Sequence, residues 1–278
     1  MSEVVFWLQS NWLVGPLGLA ALMLGSWLVS LYLRDASIAD IVWGLGFVWM
    51  AWAGLLTGDR PGPRGWLLVA LTTVWGLRLA GYLLWRKWGH GEDPRYAALR
   101  QRSGPRFWLT SLGTVFGLQG LLIWLVSLPV QRALARGEPL GSVDALGVVT
   151  WAVGLFFEGV GDWQLARFKA NPKNAGRVCD RGLWRYTRHP NYFGDCLVWW
   201  GLWLVSFAGG AGLWTIVSPL VMSWLLARVS GVALTEQRMA ARSEEYRKYM
   251  QRTSAFLPWP PRKEPAEAGN PPAAAPPP

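Results

Sequence analysis

About seven apolar blocks, each roughly twenty residues long, dominate this sequence and limit how it can fold. Because a hydrocarbon core about 30 Å thick is crossed by about 20 residues of α-helix, each block has the length of one membrane span. Charged residues make up only 16% of the chain, against roughly 25% in soluble globular proteins. The 21 tryptophans agree with helix ends that lie at the level of lipid headgroups. The sequence therefore predicts an all-α, multi-pass membrane protein.

The predicted spans are residues 11–33, 37–57, 65–86, 107–130, 141–166, 191–208 and 211–233. We expect the first to be a true membrane helix and not a cleaved leader, because Glu3 and not a basic segment precedes it. Glycines between the last two spans predict a tight antiparallel hairpin. Residues 1–257 are thus expected to form one seven-helix membrane domain, followed by a disordered Pro- and Ala-rich tail over residues 258–278.

The distribution of basic residues predicts the orientation of the chain. Most of the 27 Lys and Arg residues fall in the connections after the first, third and fifth predicted spans and in the C-terminal segment. Because basic connections stay on the cytoplasmic side, we expect a cytoplasmic C-terminus and, with an odd number of spans, an external N-terminus. The net charge of +10 is then concentrated on the cytoplasmic face, where it suits either anionic lipid or an anionic cofactor.

Ionisable residues inside the predicted spans cost about 2.5 to 3.5 kcal/mol each, so each of them needs a partner or a function. Five stand out, namely Asp40, Arg78, Glu158, Asp162 and Asp195. Glu158 and Asp162 are four residues apart, which places both carboxylates on one helix face. Either Arg78 or a loop arginine pairs with these carboxylates and holds the helices together, or their helix face lines a polar cavity that meets a ligand.

A positively charged segment lies directly before the sixth predicted span. Its arginines are Arg177, Arg181, Arg185 and Arg188. Pro190 can open a helix at its first turn, and the free N–H groups of a helix start favour an anion. Asn191 and Asp195, four residues apart, face one way and can contact one polar ligand together. A basic cytoplasmic loop explains the arginines but not the polar start of an apolar span, so the pattern favours a ligand site.

The segment from Gly182 to Asp195 reads Gly-Leu-Trp-Arg-Tyr-Thr-Arg-His-Pro-Asn-Tyr-Phe-Gly-Asp. This run resembles the C-terminal signature of the steroid 5α-reductase family, above all its bacterial branch, long catalogued as a domain of unknown function. It is also similar to a run in sterol reductases. Two further segments, residues 40–47 and 91–96, resemble the bacterial branch. The reductase-like part covers about residues 107–257, and the resemblance to the bacterial branch implies location in the bacterial inner membrane.

Membership of that family implies seven helices, NADPH bound in the cytoplasmic half of the later ones, and a flat apolar substrate that enters from the bilayer. The positions that match NADPH contacts of the steroid enzymes are Asp162, Lys169, Arg177, Asn191 and Asp195. Glu236 lies in the matching cofactor-side stretch, where the animal enzymes carry histidine. With the neighbouring polar residues, the expected cofactor-binding set is Glu158, Asp162, Lys169, Arg177, Arg188, His189, Asn191, Tyr192, Asp195 and Glu236.

The resemblance also suggests candidates for catalysis. In the steroid enzymes a Glu–Tyr pair polarises the enone carbonyl while hydride attacks the β-carbon, and the pair stabilises the charge that develops on oxygen. The nearest candidates here are Asp40 for the acid and Tyr82 or Tyr96 for the phenol. Asp40 enters the second predicted span, so it is equally suited to cap that helix.

The sequence favours an NADPH-dependent membrane reductase of an activated C=C bond in a steroid-like or other lipid substrate. A membrane S-adenosylmethionine-dependent methyltransferase of the isoprenylcysteine or phospholipid type shares the Arg-His-Pro-x-Tyr helix start, and a non-catalytic lipid-binding protein is a third possibility. The expected partners are membrane lipid and an apolar small molecule, without nucleic acid. No metal is expected, because two cysteines and two histidines provide no metal-ligand spacing.

Overall fold

The computed structural model describes residues 13–58, 62–133, 139–229 and 232–262 of the 278-residue chain. Within those ranges the chain forms helices, and no β-strand occurs there apart from an isolated bridge. The α-helices are α1 (Val14–Leu33), α2 (Ile38–Thr57), α3 (Pro63–Lys87), α4 (Pro94–Ser103), α5 (Phe107–Ser111), α6 (Leu118–Val126), α7 (Leu128–Ala133), α8 (Ser142–Ala170), α9 (Pro190–Ala208), α10 (Val217–Trp224), α11 (Val232–Arg242) and α12 (Glu244–Arg252). A π segment, Leu112–Gly117, joins α5 to α6, and a second, Leu225–Val229, follows α10.

Five helical stretches of the described residues are long and apolar enough to cross a membrane. They are Val14–Leu33, Ile38–Thr57, Pro63–Lys87, Pro94–Val126 and Ser142–Ala170. Their positions agree with the first five predicted spans, although the fourth stretch begins earlier because the polar helix α4 continues into it. Seven spans are not established by these residues, since α9 begins with polar side chains and the apolar helix Leu213–Val229 is shorter.

The chain divides into two compact units. Unit 1 consists of Met1–Leu155 and Cys196–Trp224, and unit 2 consists of Phe156–Asp195 and Leu225–Pro278. The division falls within α8 and within α9, so each of these helices contributes residues to both units.

Unit 1 is packed around buried aromatic rings and close helix contacts. The rings of Phe47, Trp75 and Trp199 contact one another, with centroids 4.5 to 5.5 Å apart, and are almost completely buried. Gly44 of α2 lies directly against Gly76 of α3, because a Cβ added to Gly44 would be 2.6 Å from the carbonyl oxygen of Gly76. Small residues that let two helix backbones approach closely are typical of helix pairs in membranes.

A buried ion pair in unit 1 joins the start of α3 to the start of α8. Nε of Arg64 donates to Oδ1 of Asp144 at 2.8 Å, and Nη2 donates to Oδ2 at 2.9 Å. Each side chain is only 3% exposed. Removing one partner would leave the other charge buried, at a cost of about 3 to 5 kcal/mol. The pair therefore fixes the two helix starts relative to each other.

The core of unit 2 lies around the turn Gly182–Arg185. The indole N–H of Trp184 donates to the carbonyl oxygen of Gly161 at 2.9 Å, and the phenol of Tyr249 donates to the carbonyl oxygen of Trp184. Tyr249 belongs to a small buried cluster with Val178 and Tyr246. These contacts hold α12 and the turn against the end of α8.

The chain after α12 runs back beside the residues that precede α9. The N–H of Arg188 donates to the carbonyl oxygen of Ser254 at 2.9 Å, and the N–H of Trp259 donates to that of Tyr186 at 2.9 Å. Residues 258–262, the first part of the predicted disordered tail, are therefore hydrogen-bonded to unit 2. The rest of that predicted tail, residues 263–278, lies outside the described residues.

Gly44→Ala should lower the thermal midpoint of the purified protein in detergent. The added methyl group would lie 2.6 Å from a backbone oxygen, so α2 and α3 must move apart, and such overpacking costs about 1 to 3 kcal/mol. Gly81→Ala in α3 is the matched control, because a Cβ there meets no atom within 4 Å. Equal midpoints for Gly44→Ala and the wild type would contradict the close contact.

Candidate functional site

Arg188 is a buried cation directly before α9, with its side chain only 7% exposed. Its Nε donates to Oε1 of Glu236 in α11 at 2.7 Å. Its Nη1 donates to the carbonyl oxygens of Met250 at 2.8 Å and Thr253 at 2.5 Å. Arginine suits this position because its planar guanidinium presents five donors. One side chain thus ties the start of α9 to α11 and to the end of α12.

Glu236 also faces His189, the residue after Arg188. Nε2 of His189 lies 3.3 Å from Oε1 of Glu236, and the His189 ring stacks on Tyr192 with centroids 5.4 Å apart. Burial acts to raise the pKa of Glu236, but hydrogen bonds from His189 and Arg188 hold that pKa below its ordinary value. Four residues of the predicted cofactor set therefore form one cluster around an ionised carboxylate.

A second group of predicted residues lies where the start of α9 meets α8. Nδ2 of Asn191 donates to Oδ1 of Asp162 at 3.1 Å. Glu158, Asp162 and Asp195 are all at least nine-tenths buried. Oδ1 of Asn191 is buried and has no hydrogen-bond partner among the described residues. Buried polar atoms are normally hydrogen-bonded, so an open acceptor here agrees with the ligand-facing role predicted for Asn191.

Unit 2 also contains a cleft of about 660 Å³. The arginines that line it are Arg177, Arg181, Arg185, Arg252 and Arg262. Asp180 and Glu245 are the acidic residues of the lining, and Asp180 is paired with Arg252 at 2.5 Å. Positive charge therefore exceeds negative charge on these walls, and the cleft favours a ligand that carries several negative charges.

Only part of the predicted cofactor-binding set lines the cleft, and some residues that line it are not in that set. Arg177 lines the cleft, whereas Lys169 lies at the exposed end of α8. No sequence motif points to Arg252 or Arg262 at a binding site, because both lie far along the chain from Arg177. They come to one wall when the chain turns back after α12, where the N–H of Arg262 donates to the carbonyl oxygen of Arg252 at 2.8 Å. The sequence feature that could have indicated Arg252 and Arg262 is the basic C-terminal segment, which contains both.

The predicted catalytic residues lie in unit 1, where Asp40 and Tyr96 are in contact. Oδ1 of Asp40 accepts a hydrogen bond from the Tyr96 phenol at 2.5 Å, and Oδ2 accepts one from Nη2 of Arg95 at 2.6 Å. Nε2 of Gln119 donates to the Tyr96 oxygen at 3.2 Å. The N-cap of α2 is Ser37, and it has no side-chain capping bond. Asp40 thus accepts hydrogen bonds from a phenol and a guanidinium, and the N-cap position of α2 belongs to Ser37.

Tyr82, the other predicted phenol, has a different environment. Its ring lies against the guanidinium groups of Arg78 and Arg86, which are 5.5 and 5.7 Å from the ring centroid. These are cation–π distances. Tyr96 is hydrogen-bonded to Asp40, whereas the ring of Tyr82 lies against two guanidinium groups.

Ion pairs surround a cavity of about 280 Å³ that Asp40 helps to line. Lys87 pairs with Asp35, and Arg100 pairs with Glu92 at 2.8 Å. Burial acts to raise the pKa of Asp35 and of Glu92, but hydrogen bonds from these cations hold both values below the ordinary range. The connection before α2 and the connection between α3 and α4 are therefore each held in place by an ion pair.

Comparison with known proteins gives a family match over most of the chain. Residues 26–253 match the family described as "Protein of unknown function (DUF1295)". An uncharacterized protein of Schizosaccharomyces pombe is 26% identical over 263 residues, which cover 84% of this chain and 75% of the relative. A probable O-methyltransferase, ustE of Ustilaginoidea virens, is 30% identical over 120 residues, which cover 43% of this chain and only 41% of the relative. No solved structure matches the chain significantly.

Glu236→Gln should destabilise the protein at neutral pH and reduce its sensitivity to acid. The pKa of Glu236 is lowered from its ordinary 4.5, so its stabilising effect is present above that value and is lost as pH falls through the folded-state pKa. At neutral pH, loss of the charged partner of Arg188 should cost about 1.5 to 3 kcal/mol. Thermal unfolding at neutral and acidic pH measures both effects.

The control for this variant is Glu244→Gln, which changes an exposed glutamate in the same part of the chain. The gap in midpoint between the wild type and Glu236→Gln should close as the solution is acidified, whereas Glu244→Gln should follow the wild type throughout. A gap that stays constant down to acidic pH would show that Glu236 acts through its shape and not through its charge.

Proposed function

Because the chain belongs to the family described as "Protein of unknown function (DUF1295)", whose description names no activity, we propose a function from its own residues. It is an integral membrane reductase that uses NADPH to reduce an activated C=C bond of an apolar, steroid-like or other lipid substrate. The arginine-lined cleft of unit 2 is the observation that carries this proposal. The proposal includes seven spans, one for each apolar block of the sequence, and location in the bacterial inner membrane, which the resemblance to the bacterial branch implies. It also includes a cytoplasmic C-terminus, because most basic residues fall on one side.

The lining of the cleft suits the phosphates of NADPH. Arg177, Arg181 and Arg185 would hold its pyrophosphate and 2′-phosphate, because a guanidinium can donate two parallel hydrogen bonds to phosphate oxygens. When bound, NADPH supplies the hydride. S-Adenosylmethionine has no phosphate and carries a sulfonium cation beside its carboxylate, so it fits a wall rich in arginine less well.

The buried polar group at the start of α9 suits the uncharged parts of a dinucleotide. Asn191 has an open acceptor, Oδ1, and the carboxylates of Asp162 and Asp195 are acceptors when ionised. Such groups would receive the hydroxyl and amide donors of the ribose and nicotinamide. Arg188 and Glu236 would act less directly, by fixing the loop and the helix start that carry these side chains.

The phenol of Tyr96 is the proposed donor to the substrate. Hydride addition to an enone places negative charge on the carbonyl oxygen, so a hydrogen-bond donor must reach that oxygen. In the structure the single phenol proton is donated to Asp40, and Gln119 donates to the phenol oxygen. To serve the substrate, that O–H would turn from Asp40 to the carbonyl oxygen, while Gln119 keeps its hydrogen bond to the phenol. Arg95 balances the charge of Asp40. We therefore propose that Asp40 positions Tyr96 and that Tyr96 contacts the substrate.

A second candidate function is methyl transfer from S-adenosylmethionine to a lipid-like acceptor. The observation in its favour is the likeness to the probable O-methyltransferase ustE. The matched region spans less than half of that relative, so its activity does not transfer to this chain without a test. The charge of the cleft is our reason for placing the reductase first.

The combined variant Arg181→Ala and Arg185→Ala should weaken NADPH binding at least tenfold, because each charged hydrogen bond contributes about 1.5 to 3 kcal/mol. It should also reduce the preference for NADPH over NADH, since the 2′-phosphate adds up to two negative charges. Equilibrium titration of the purified protein measures both dissociation constants. Arg247→Ala is the matched control, because Arg247 is exposed in unit 2 but does not line the cleft. If the Arg181→Ala and Arg185→Ala double variant binds NADPH as tightly as the wild type and the control do, the cleft is not the cofactor site.

Tyr96→Phe should lower kcat by roughly 10² or more while leaving NADPH affinity unchanged, because it removes one donor to the developing oxyanion. The measurement is NADPH consumption with a panel of apolar enones. Tyr82→Phe is the matched control and should retain turnover. The reverse pattern, with Tyr82→Phe inactive and Tyr96→Phe active, would identify Tyr82 as the donor and contradict the role of Tyr96.

A further inference from the structure

Unit 2 exposes large apolar side chains where the chain end crosses the loop before α9. Tyr186, Leu257 and Trp259 are 43%, 64% and 70% exposed. Trp259 and Tyr186 are neighbours because the N–H of Trp259 donates to the carbonyl oxygen of Tyr186 at 2.9 Å. The hydroxyl of Thr187 donates to the carbonyl oxygen of Phe256 at 2.8 Å, which brings Leu257 to the same place. The three exposed side chains are therefore carried by backbone segments that lie side by side.

The backbone that carries these side chains is fixed. The N–H of Arg188 donates to the carbonyl oxygen of Ser254, and the N–H of Arg262 donates to that of Arg252. Pro258 and Pro260 restrict the backbone on both sides of Trp259. Trp259 and Leu257 are thus held away from the core by an ordered segment. Apolar surface presented in this way indicates a contact with another surface.

Positive charge accompanies the apolar side chains. Arg185 directly precedes Tyr186, Arg262 follows Trp259 closely, and both arginines are exposed. Tyr and Trp favour the headgroup level of a bilayer, where their rings are partly buried and their polar atoms stay wet. Arginines at that level attract anionic headgroups. The same combination occurs at the end of α8 in this unit, where Arg167 lies over the exposed ring of Trp163.

We propose that Tyr186, Leu257 and Trp259, with Arg185 and Arg262, form an anchoring patch that rests on the anionic phospholipid surface of the membrane. The aromatic and leucine side chains enter the headgroup region, and the two arginines contact lipid phosphates. The segment after α12 is then held between unit 2 and the bilayer. Arg185 and Arg262 also line the cleft of the proposed function. The test measures protection by lipid in the absence of NADPH, so its failure is distinguishable from failure of the cofactor site.

The test is the accessibility of a fluorescent label at residue 257. Leu257→Cys is labelled with an environment-sensitive dye in nanodiscs of phosphatidylcholine, with or without phosphatidylglycerol, and is quenched with aqueous iodide. Gln251→Cys is the matched control, because Gln251 is exposed in α12 outside the patch. Cys179 and Cys196 are buried, and labelled wild type gives their background. The label at 257 should be several-fold less accessible than that at 251, and further protected when phosphatidylglycerol is present.

Charge variants complete the test. Arg185→Glu with Arg262→Glu should abolish the extra protection caused by phosphatidylglycerol, and the milder Arg185→Gln with Arg262→Gln should reduce it. Equal accessibility at 257 and 251 in both lipids would overturn the proposal. Protection that is the same with and without phosphatidylglycerol would also overturn it. Protection that appears only when two chains share a nanodisc would assign the patch to contact between copies and would also overturn it.

Discussion

The arrangement of unit 2 depends on the pairing of one buried cation, Arg188. A guanidinium inside a protein is tolerated only when its donors are satisfied, and removing a partner from such a group costs several kcal/mol. Here the acceptors are the carboxylate of Glu236 and the carbonyl oxygens of Met250 and Thr253. Because those acceptors come from α11 and from the end of α12, satisfying one charge brings three parts of the chain together. This arrangement also brings together the arginine-rich loop before α9 and the chain end after α12, which line the same cleft.

Local patterns in the sequence predict the helices well. Blocks of about twenty apolar residues mark the span-length helices, because hydrocarbon thickness and helix rise set that length. Pro190 predicts the start of α9, and residues spaced by four predict shared helix faces. The sixth predicted span is not among the span-length apolar stretches of the described residues, and Asn191 and Asp195 reduce the apolar character of its helix, α9. These polar residues are the ones for which we propose a role in binding.

Contacts between distant parts of the chain could not be predicted from the sequence. Asp40 meets Arg95 and Tyr96 only after α2, α3 and α4 have formed, and no periodicity relates those positions. The sequence names both Tyr82 and Tyr96 as candidates and could not show that Tyr96 lies within hydrogen-bond distance of Asp40. For the same reason the sequence places Arg262 inside the predicted tail of residues 258–278, whereas in the fold it lines the cleft. Local propensity determines helices, while the cost of unpaired buried charge determines which distant residues meet.

The charge of the cleft is the physical basis for preferring a phosphate-bearing cofactor, so its ligand is the most direct test of the account. The measurement is calorimetric titration of the purified protein in neutral-lipid nanodiscs with NADPH, NADH and S-adenosylmethionine at low and high salt. We expect NADPH to bind more tightly than NADH, with a preference that decreases as salt screens the 2′-phosphate. We expect S-adenosylmethionine not to displace NADPH. Binding of S-adenosylmethionine without binding of NADPH would contradict the reductase and favour methyl transfer.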